Sequence, residues 1–450
     1  MNAHTLPTPT SRPLSPIIWL GLAGFLSQFD VTALVVALPE IRRQLGLSTA
    51  GAAWVIDAYS LAFASALLPA GLLADSWGRR RILLIGLALF ALASAGCALA
   101  TTGATLLAWR SMQGVGAALL ICATLALLAG IYRRPEDRVW AFGWTGTVMG
   151  TAMIFGPVGG GWLAASLGWQ AIFWLNPPLC LTIFMAGLLG LDEQRGEPAS
   201  RAGALPVLAG VASIVGLVWS LLEGGQRGWS HPAVAGPAAV GVLLVGVLLA
   251  WVARADRSRY VKPGFIPVCA LAGLSSIAYW STLVILPSAG GLWFGLDTAQ
   301  AGALLLAATA PMLLLPGAGA WLANRWGAKA LFAASMALVA TGDLLLWRTA
   351  QAPGIAAFVG GMLLAGSGAG LMNSQLSAAF VSTALPSWAG MASALGITMR
   401  QLGYALGVAL LGFVAGLGHV SYAMCFALAT AAGIFGALLA LILPGKNPGR

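Results

Sequence analysis

Fourteen apolar runs of at least about 18 residues follow one another along the chain, separated by short polar segments. Hydrophobic residues make up 59% of the 450 residues and charged residues only 8%, against about 25% charged in an average soluble domain. Such runs form helices in lipid, because every backbone polar group must be paired within the protein. The sequence therefore predicts an all-α membrane protein with transmembrane helices at 17–39, 51–73, 82–101, 104–131, 139–164, 171–191, 203–223, 233–253, 264–288, 299–323, 329–348, 355–382, 389–415 and 421–443.

The basic residues between the runs predict the orientation of the chain, because Lys and Arg near spans stay preferentially in the cytoplasm. With a cytoplasmic N-terminus, seventeen of them fall on one side and four on the other. We expect both termini in the cytoplasm and a multi-pass protein of a bacterial-type cytoplasmic membrane. The two sides are called here the predicted cytoplasmic face and the predicted outer face. Since the basic residues are dispersed among loops, the net charge of +10 does not indicate nucleic-acid binding.

Motifs for enzymatic chemistry are missing from the sequence. There is no GxxxxGK[ST] phosphate loop, no HExxH motif and no serine elbow, and the five cysteines have neither pairing nor CxxC spacing. We expect no enzyme activity, no cofactor and no metal site. A passive channel or a scaffold remains as an alternative to a transporter.

A weak internal repeat predicts two halves. The segment GLLADSWGRRRIL at Gly71–Leu83 is echoed by GAWLANRWGAKAL at Gly319–Leu331. Parallel repeats of this kind build transporters in which two bundles enclose a site at the membrane midplane. The predicted organisation is a tail at 1–16, a six-helix bundle at 17–191, a linker with two inserted helices at 192–262, a second six-helix bundle at 263–444 and a tail at 445–450.

Ionisable side chains inside the apolar runs are candidates for function, because they are costly at membrane depth. Asp30 in helix 1 and Arg110 in helix 4, with Gln113 one turn further, are the leading set. Burial favours the neutral form of a carboxylic acid and a neighbouring cation favours the charged form, so an Asp that gains and loses its Arg can carry a proton. A static ion pair between the two helices is the alternative.

Asp57 in helix 2 lies three residues after Trp54 and two before Tyr59. This neighbourhood suits a cation held between aromatic faces, and a hydrogen-bonded polar group is the alternative. Asp343 lies five residues before Arg348, which favours a pair at the membrane interface over a role in substrate binding.

Two further groups of residues indicate a gate and a cavity. Gly156 and Pro157, followed by Gly160 and Gly161, predict a bend and close packing in helix 5. Candidate substrate-binding groups are the polar residues of helix 12 and the aromatic and acidic residues already introduced: Asp57, Asp30, Trp54, Tyr59, Trp174, Asn373 and Gln375.

Over essentially its whole length the chain resembles the major facilitator superfamily, and within it the fourteen-helix drug:proton antiporters that include quaternary-ammonium and multidrug efflux proteins. The segments that carry this resemblance are FDVTALVVALP at Phe29–Pro39, WVIDAYSL at Trp54–Leu61, GLLADSWGRRR at Gly71–Arg81, RSMQGVGAA at Arg110–Ala118, GPVGGG at Gly156–Gly161, WQAIFWLNPP at Trp169–Pro178 and RQLGYALG at Arg400–Gly407. Ala152 and Gln170 depart from the family pattern, where a glycine and an arginine are usual.

The resemblance implies a major facilitator fold and a proton-coupled antiporter that exports amphipathic, cationic drugs or biocides by alternating access. It implies proton coupling at Asp30, Arg110 and Asp57. Arg400 resembles the family pattern of helix 13, and we expect a packing role for it. It also implies a cytoplasmic gate at Asp75, Gly78 and Arg79, where Asp75 docks near the start of helix 13. Export of an endogenous metabolite or self-made antibiotic is the alternative. The expected partners are the substrate, protons and the lipid bilayer, with no nucleic acid, and the expected functional unit is a monomer.

Overall fold

The computed structural model describes residues 14–132, 134–195, 204–254, 263–383, 389–415 and 421–443. All regular elements in these residues are helical. They are α1 (Ser15–Gln44), α2 (Thr49–Trp77), α3 (Arg79–Ala98), α4 (Gly103–Ile131), α5 (Pro135–Leu167), α6 (Gln170–Trp174), α7 (Asn176–Gly190), α8 (Ala204–Arg227), α9 (Pro232–Arg254), α10 (Phe265–Ser275), a π-helical turn (Ser276–Trp280), α11 (Ser281–Phe294), α12 (Thr298–Leu314), α13 (Pro316–Trp326), α14 (Ala328–Gln351), α15 (Ile355–Ser382), α16 (Ala389–Ala415) and α17 (Ser421–Ala440).

Among the described residues, eleven helices are long and apolar enough to cross a membrane, or twelve if α12 and α13 form one bent span. The two meet at 51°, where Pro316, which has no backbone N–H to donate, begins α13. The prediction of an all-α membrane protein is confirmed. The predicted count of fourteen transmembrane helices is not confirmed, because α8 and α9, at the position of the predicted insertion, are not among these twelve.

The helices pack in two groups. In the N-terminal bundle, α1–α7, the helix α1 packs on α5, and both α2 and α3 pack on α4. In the C-terminal bundle, α10–α17, the helix α14 packs on α15 and α17, and α12 packs on α15. The inserted helices α8 and α9 pack on each other, and α8 also contacts α2 and α16, so it covers the seam between the bundles.

The bundles touch each other near the predicted outer face, where α5 lies against α12 and α2 against α16. A Cβ built at Gly161 would lie 2.9 Å from the carbonyl oxygen of Thr298, the first residue of α12. A Cβ at Gly412 would lie 2.8 Å from that of Ala53. Only glycine permits helices to approach this closely, so the structure is closed at the predicted outer face.

Candidate proton and substrate site

Asp30 lies near the middle of α1 and is fully buried. Nη1 of the equally buried Arg110, from α4, donates a hydrogen bond to Asp30 Oδ2 and forms an ion pair with it. The Nε atom of Arg110 donates to the backbone oxygen of Val55 in α2 at 3.1 Å. The predicted pair is therefore assembled, and it joins three helices of the N-terminal bundle.

Two amides complete the shell of Asp30. Gln113 Nε2 donates to Asp30 Oδ1 at 2.8 Å and to Ser94 Oγ at 2.8 Å. Asn176 Nδ2 donates to the same two oxygens, at 2.9 Å and 3.2 Å respectively. Ser94 and Asn176 were not predicted as site residues. Asn176 lies in the family segment at Trp169–Pro178, which was the available signal, whereas Ser94 is a neutral residue in an apolar helix and gives none.

Arg110 also lies against aromatic rings. Its guanidinium carbon is 4.4 Å from the centre of the Tyr59 ring and 5.8 Å from that of Phe173. The hydroxyl of Tyr59 forms a 2.8 Å hydrogen bond with that of Ser27, which fixes the ring. Arg110 thus keeps a carbonyl, an amide oxygen and two π faces as partners when Asp30 is neutral. Protonation of Asp30 would not leave a buried cation unpaired.

Asp57 is fully buried, and neither carboxylate oxygen has a hydrogen-bond partner among the described residues. It lies on α2 close enough to Tyr404 of α16 to interact electrostatically. The predicted aromatic cage around it is not assembled, because the Tyr59 ring lies over Arg110 and Trp54 makes an edge contact with Trp219 of α8 at 5.4 Å. An ionised carboxylate without such a partner costs several kcal/mol in a buried site.

The predicted polar groups of the C-terminal bundle lie between α15 and α16. Arg400 Nη1 donates to Asn373 Oδ1 at 2.9 Å and its Nη2 donates to Ser377 Oγ at 3.2 Å. Gln375 is half-buried and bonds its neighbour Ser374 rather than Arg400. Arg400 therefore joins two helices, as the packing role requires, through neutral partners.

Trp174 is 48% exposed. It lines a groove on the surface of α5, α6 and α7 with Leu163, Leu167, Gln170, Ala171, Leu175 and Pro178. Because the groove contains no residue of the C-terminal bundle, this position does not support the predicted role of Trp174 in a cavity between the bundles.

Asp75 pairs with Arg79, the first residue of α3, at 3.1 Å. Gly78 has φ of 116°, which favours glycine, and a Cβ there would lie 2.5 Å from the Glu193 carboxylate. Glu193, which was not predicted, accepts the backbone N–H groups of Arg80 at 3.0 Å and Arg81 at 3.2 Å. This gate segment is thus held by its own arginine and by the linker after α7, while docking of Asp75 on α16 stays a prediction.

The glycines of α5 serve close packing in two directions. A Cβ at Gly160 would lie 2.6 Å from the Cα of Ala33 in α1, and a Cβ at Gly156 would overlap the hydroxyl of Thr32. On the other side, Gly161 and Pro157 face α12. The segment therefore links the first helix to the C-terminal bundle, and its function as a barrier to leakage stays a prediction.

Asp343 does not lie at an interface. It is fully buried in α14, both of its oxygens lack a hydrogen-bond partner among the described residues, and Arg348 is exposed. The predicted interfacial pair is wrong, because Asp343 lies on the packed side of its helix, next to Gly342, whose Cα approaches the backbone of α15. In the described parts of the chain, no cluster of three or more His, Cys, Asp or Glu side chains is placed to hold a metal ion.

Comparisons with known proteins give a family, related proteins and a similar fold. A family profile described as Major Facilitator Superfamily matches residues 20–285. A methylenomycin A resistance protein of Bacillus subtilis is 36% identical over 225 residues, 50% of this chain and 48% of that protein. A cephamycin export protein of Amycolatopsis lactamdurans is 33% identical over 91% of this chain and 86% of its own length. The fold is similar to that of a solved peptide transporter POT in complex with sulfate, with a TM-score of 0.74, 15% identity and coverage of 95% and 93%.

Proposed function

The chain belongs to the major facilitator superfamily, and we propose that it is a proton-coupled antiporter that exports amphipathic, cationic compounds from the cytoplasm or the inner leaflet. As a member of this family it is a membrane transporter of small molecules and not an enzyme. The observation that carries the proposal is the buried pair of Asp30 and Arg110, in which the cation has other partners when the acid is neutral.

The cycle that we propose uses this pair as the proton carrier. In the state closed at the predicted outer face, Asp30 is ionised, paired with Arg110, and the substrate enters from the cytoplasm. Rocking of the bundles then exposes the site outward, external protons neutralise the acid, and the substrate leaves. The protonated protein returns and releases its proton to the cytoplasm. Arg110 cannot be deprotonated, so Asp30 is the member of the pair that carries the proton.

We also propose the arrangement in which the cycle runs. Both termini lie in the cytoplasm, since seventeen Lys and Arg residues then fall on the cytoplasmic side against four outside. The protein works as a monomer in a bacterial-type cytoplasmic membrane, since one chain supplies both bundles.

The driving force limits the stoichiometry. A proton entering across about 100 mV and one pH unit carries about 3.7 kcal/mol, which sustains a gradient of about 500-fold for a neutral solute. For a monovalent cation exchanged one for one the electrical part cancels, and about tenfold remains. Export of a cation therefore benefits from a second acid, and we assign that role to Asp57, which is buried at the seam between the bundles.

A second candidate function is proton-coupled export of an endogenous metabolite or a self-made antibiotic. The name of the cephamycin export protein fits it, and the name of the methylenomycin A resistance protein fits either substrate source. The same buried pair would drive both kinds of export, so only the cargo separates them.

Purified protein in liposomes with an acidic interior tests the proposal. We expect the wild type to accumulate ethidium or a quaternary biocide, and the Asp30→Asn variant to lose pH-driven accumulation. Asp297→Asn is the matched control, because Asp297 caps α12 at the predicted outer face and asparagine caps helices equally well. Equal pH-driven transport by Asp30→Asn and the wild type would contradict the proposal. Proton-dependent activity that excludes all cationic probes would favour the second candidate.

A further inference from the structure

The two bundles repeat the same packing in the same register. In the N-terminal bundle a Cβ at Gly116 of α4 would lie 2.8 Å from the backbone nitrogen of Phe90 in α3. In the C-terminal bundle a Cβ at Gly368 of α15 would lie 2.9 Å from the backbone nitrogen of Val339 in α14. Val339 comes 249 residues after Phe90, which is also the interval between the tryptophans of the two repeated segments. The helices α3 and α14 are therefore equivalent at this interval.

The first helices of the two bundles follow the same interval. Gly156 of α5 packs on the hydroxyl of Thr32, and Gly407 of α16 packs on that of Ser281. Ser281 comes 249 residues after Thr32. The helix α1 is thus equivalent to the segment formed by α10, the π-helical turn and α11.

This register places a second acid in the C-terminal bundle. Asp343 comes 249 residues after Ser94, the serine that accepts hydrogen bonds from the same two amides as Asp30. Tyr279, in the π-helical turn, comes 249 residues after Asp30 itself, and it lies close enough to Asp343 to interact electrostatically. The C-terminal bundle thus has its acid on the third helix and a tyrosine on the first, whereas the N-terminal bundle has its acid on the first helix and a serine on the third.

The cation of the N-terminal bundle has no counterpart in the C-terminal bundle. Gly368 comes 252 residues after Gly116, and at that interval Arg110 corresponds to Met362 and Gln113 to Ala365, both buried. Asp343 therefore lies among apolar groups where Asp30 lies among donors. A polar side chain kept for structure normally makes hydrogen bonds, and the carboxyl group of Asp343 makes none with the described residues.

The ionisable groups around Asp343 are few. The helix α15 contains none, and the other described elements packed on α14 contribute Arg325 from α13, Tyr279 from the π-helical turn, and Tyr422 and Cys425 from α17. Of these, Tyr279 interacts electrostatically with Asp343, whereas Tyr422 interacts with Ser288, Arg42 and Cys425. Lys329 and Arg348, on α14 itself, lie fourteen residues before and five residues after Asp343.

Two unpartnered hydroxyls lie on the predicted cytoplasmic side of this acid. Ser276 is one helical turn before Tyr279, and Ser335 is eight residues before Asp343, about 12 Å along the helix. Both are buried, and neither hydroxyl has a hydrogen-bond partner in the described residues. Ser276 begins the π-helical turn, which is a local widening of the kind often found at functional sites.

We propose that Asp343 is a further proton-carrying acid, the one of the C-terminal bundle, that works in parallel with Asp30 and Asp57 of the N-terminal bundle. This inference rests on the proposed proton-coupled antiport. In one state the carboxylic acid gives its proton to cytoplasmic water, which leaves a carboxylate, while the Tyr279 hydroxyl keeps its hydrogen bond to the backbone oxygen of Ala308. In the outward-facing state the carboxylate takes a proton from the external solution. The net change in each cycle is one additional proton moved inward.

The stoichiometry of exchange tests this proposal. Wild-type and Asp343→Asn proteins are reconstituted in liposomes with the membrane potential clamped at zero, and ethidium accumulation is measured at one unit of pH difference. Loss of one proton lowers the limiting accumulation ratio about tenfold. Asp343→Ser, which installs the residue of the N-terminal bundle, gives the same readout if the asparagine variant does not fold. Asp297→Asn is the control.

An unchanged accumulation ratio in Asp343→Asn overturns the proposal. Two other outcomes contradict the proposed function instead: wild-type transport that does not depend on the pH gradient, and Asp30→Asn transport that still does. The two failures are therefore distinguishable. Infrared spectroscopy supplies a readout without substrate. We expect a protonated carboxyl band that is lost in Asp343→Asn and that weakens as the pH rises. A band that persists at every pH at which the protein stays folded marks a permanently neutral acid and also overturns the proposal.

Discussion

The substitution Gly302→Ala tests whether the contact of α12 with α5 holds the predicted outer face closed. The new Cβ would overlap the carbonyl oxygen of Pro157 and would lie 3.2 Å from its carbonyl carbon and 3.3 Å from the Cα of Gly161. These are backbone atoms of a helix, so the overlap is relieved only when α12 moves away from α5. Because α5 and α12 belong to different bundles, the strain acts on the closed state and disappears when the bundles separate.

The magnitude follows from the cost of overpacking. One additional methyl group pressed against a rigid backbone costs about 1–3 kcal/mol. Since 1.36 kcal/mol is a factor of ten, the ratio of outward-open to outward-closed protein should rise about 5- to 150-fold. The larger value would make the open state dominant in a protein that is otherwise closed 99% of the time, roughly.

Distances between spin labels measure this ratio. Labels at Leu167, the last residue of α5, and Leu292, near the end of α11, report on the predicted outer face, and both side chains are exposed. The partly exposed cysteines Cys122 and Cys269 are first replaced by alanine. Gly317→Ala is the matched control, because a Cβ there meets nothing within 4 Å. An unchanged distance distribution in Gly302→Ala, or an equal shift in the control, would refute the reasoning.

Two other predictions concern the polar groups of the N-terminal bundle. Arg110→Leu should lower stability by about 3–5 kcal/mol, because it leaves a buried carboxylate unpaired, and adding Asp30→Asn should restore part of the loss; thermal unfolding in detergent checks this, and strictly additive effects contradict it. Glu193→Gln should weaken the linker cap on α3 by about 0.3–1 kcal/mol, so trypsin should cleave at Arg195 about two- to fivefold faster. An unchanged cleavage rate would show that the charge of Glu193 contributes nothing to the cap.

The pairing of Asp30 with Arg110 could be predicted because both are ionisable groups in apolar helices. Neither has an inexpensive place in lipid, so they are expected to find each other. Ser94 and Asn176 could not be predicted on the same ground, because neutral polar side chains bond their own helix at little cost and occur throughout membrane helices. Their place beside Asp30 depends on how α3 and α7 pack, which the sequence of each helix does not encode separately.

Other errors came from the direction and continuity of helices. Side chains rotate by about 100° per residue, so Tyr59, two residues after Asp57, leaves α2 on nearly the opposite side. Trp54 shares a face with Asp57 but makes its ring contact with Trp219 of α8, so closeness in sequence does not make a cage. The prediction for Asp343 relied on its distance from Arg348 along the helix. Its burial follows instead from the packing of α14 on α15 at Gly342, which only the structure reveals. The break at Pro316 likewise divides a run whose hydropathy is continuous.

The position of α2 connects the charge state of Asp30 to the seam between the bundles. Val55 accepts the Nε hydrogen bond of Arg110, and Asp57, two residues later, lies against Tyr404 of the C-terminal bundle. Tyr404 also interacts electrostatically with Arg110. In the proposed cycle, neutralisation of Asp30 removes the counter-ion of Arg110 on α1, and the positive charge of Arg110 then acts on the α2–α16 contact. This contact is the one that must open when the bundles rock, so neutralisation of one acid in the first helix can bias the motion of the whole C-terminal bundle.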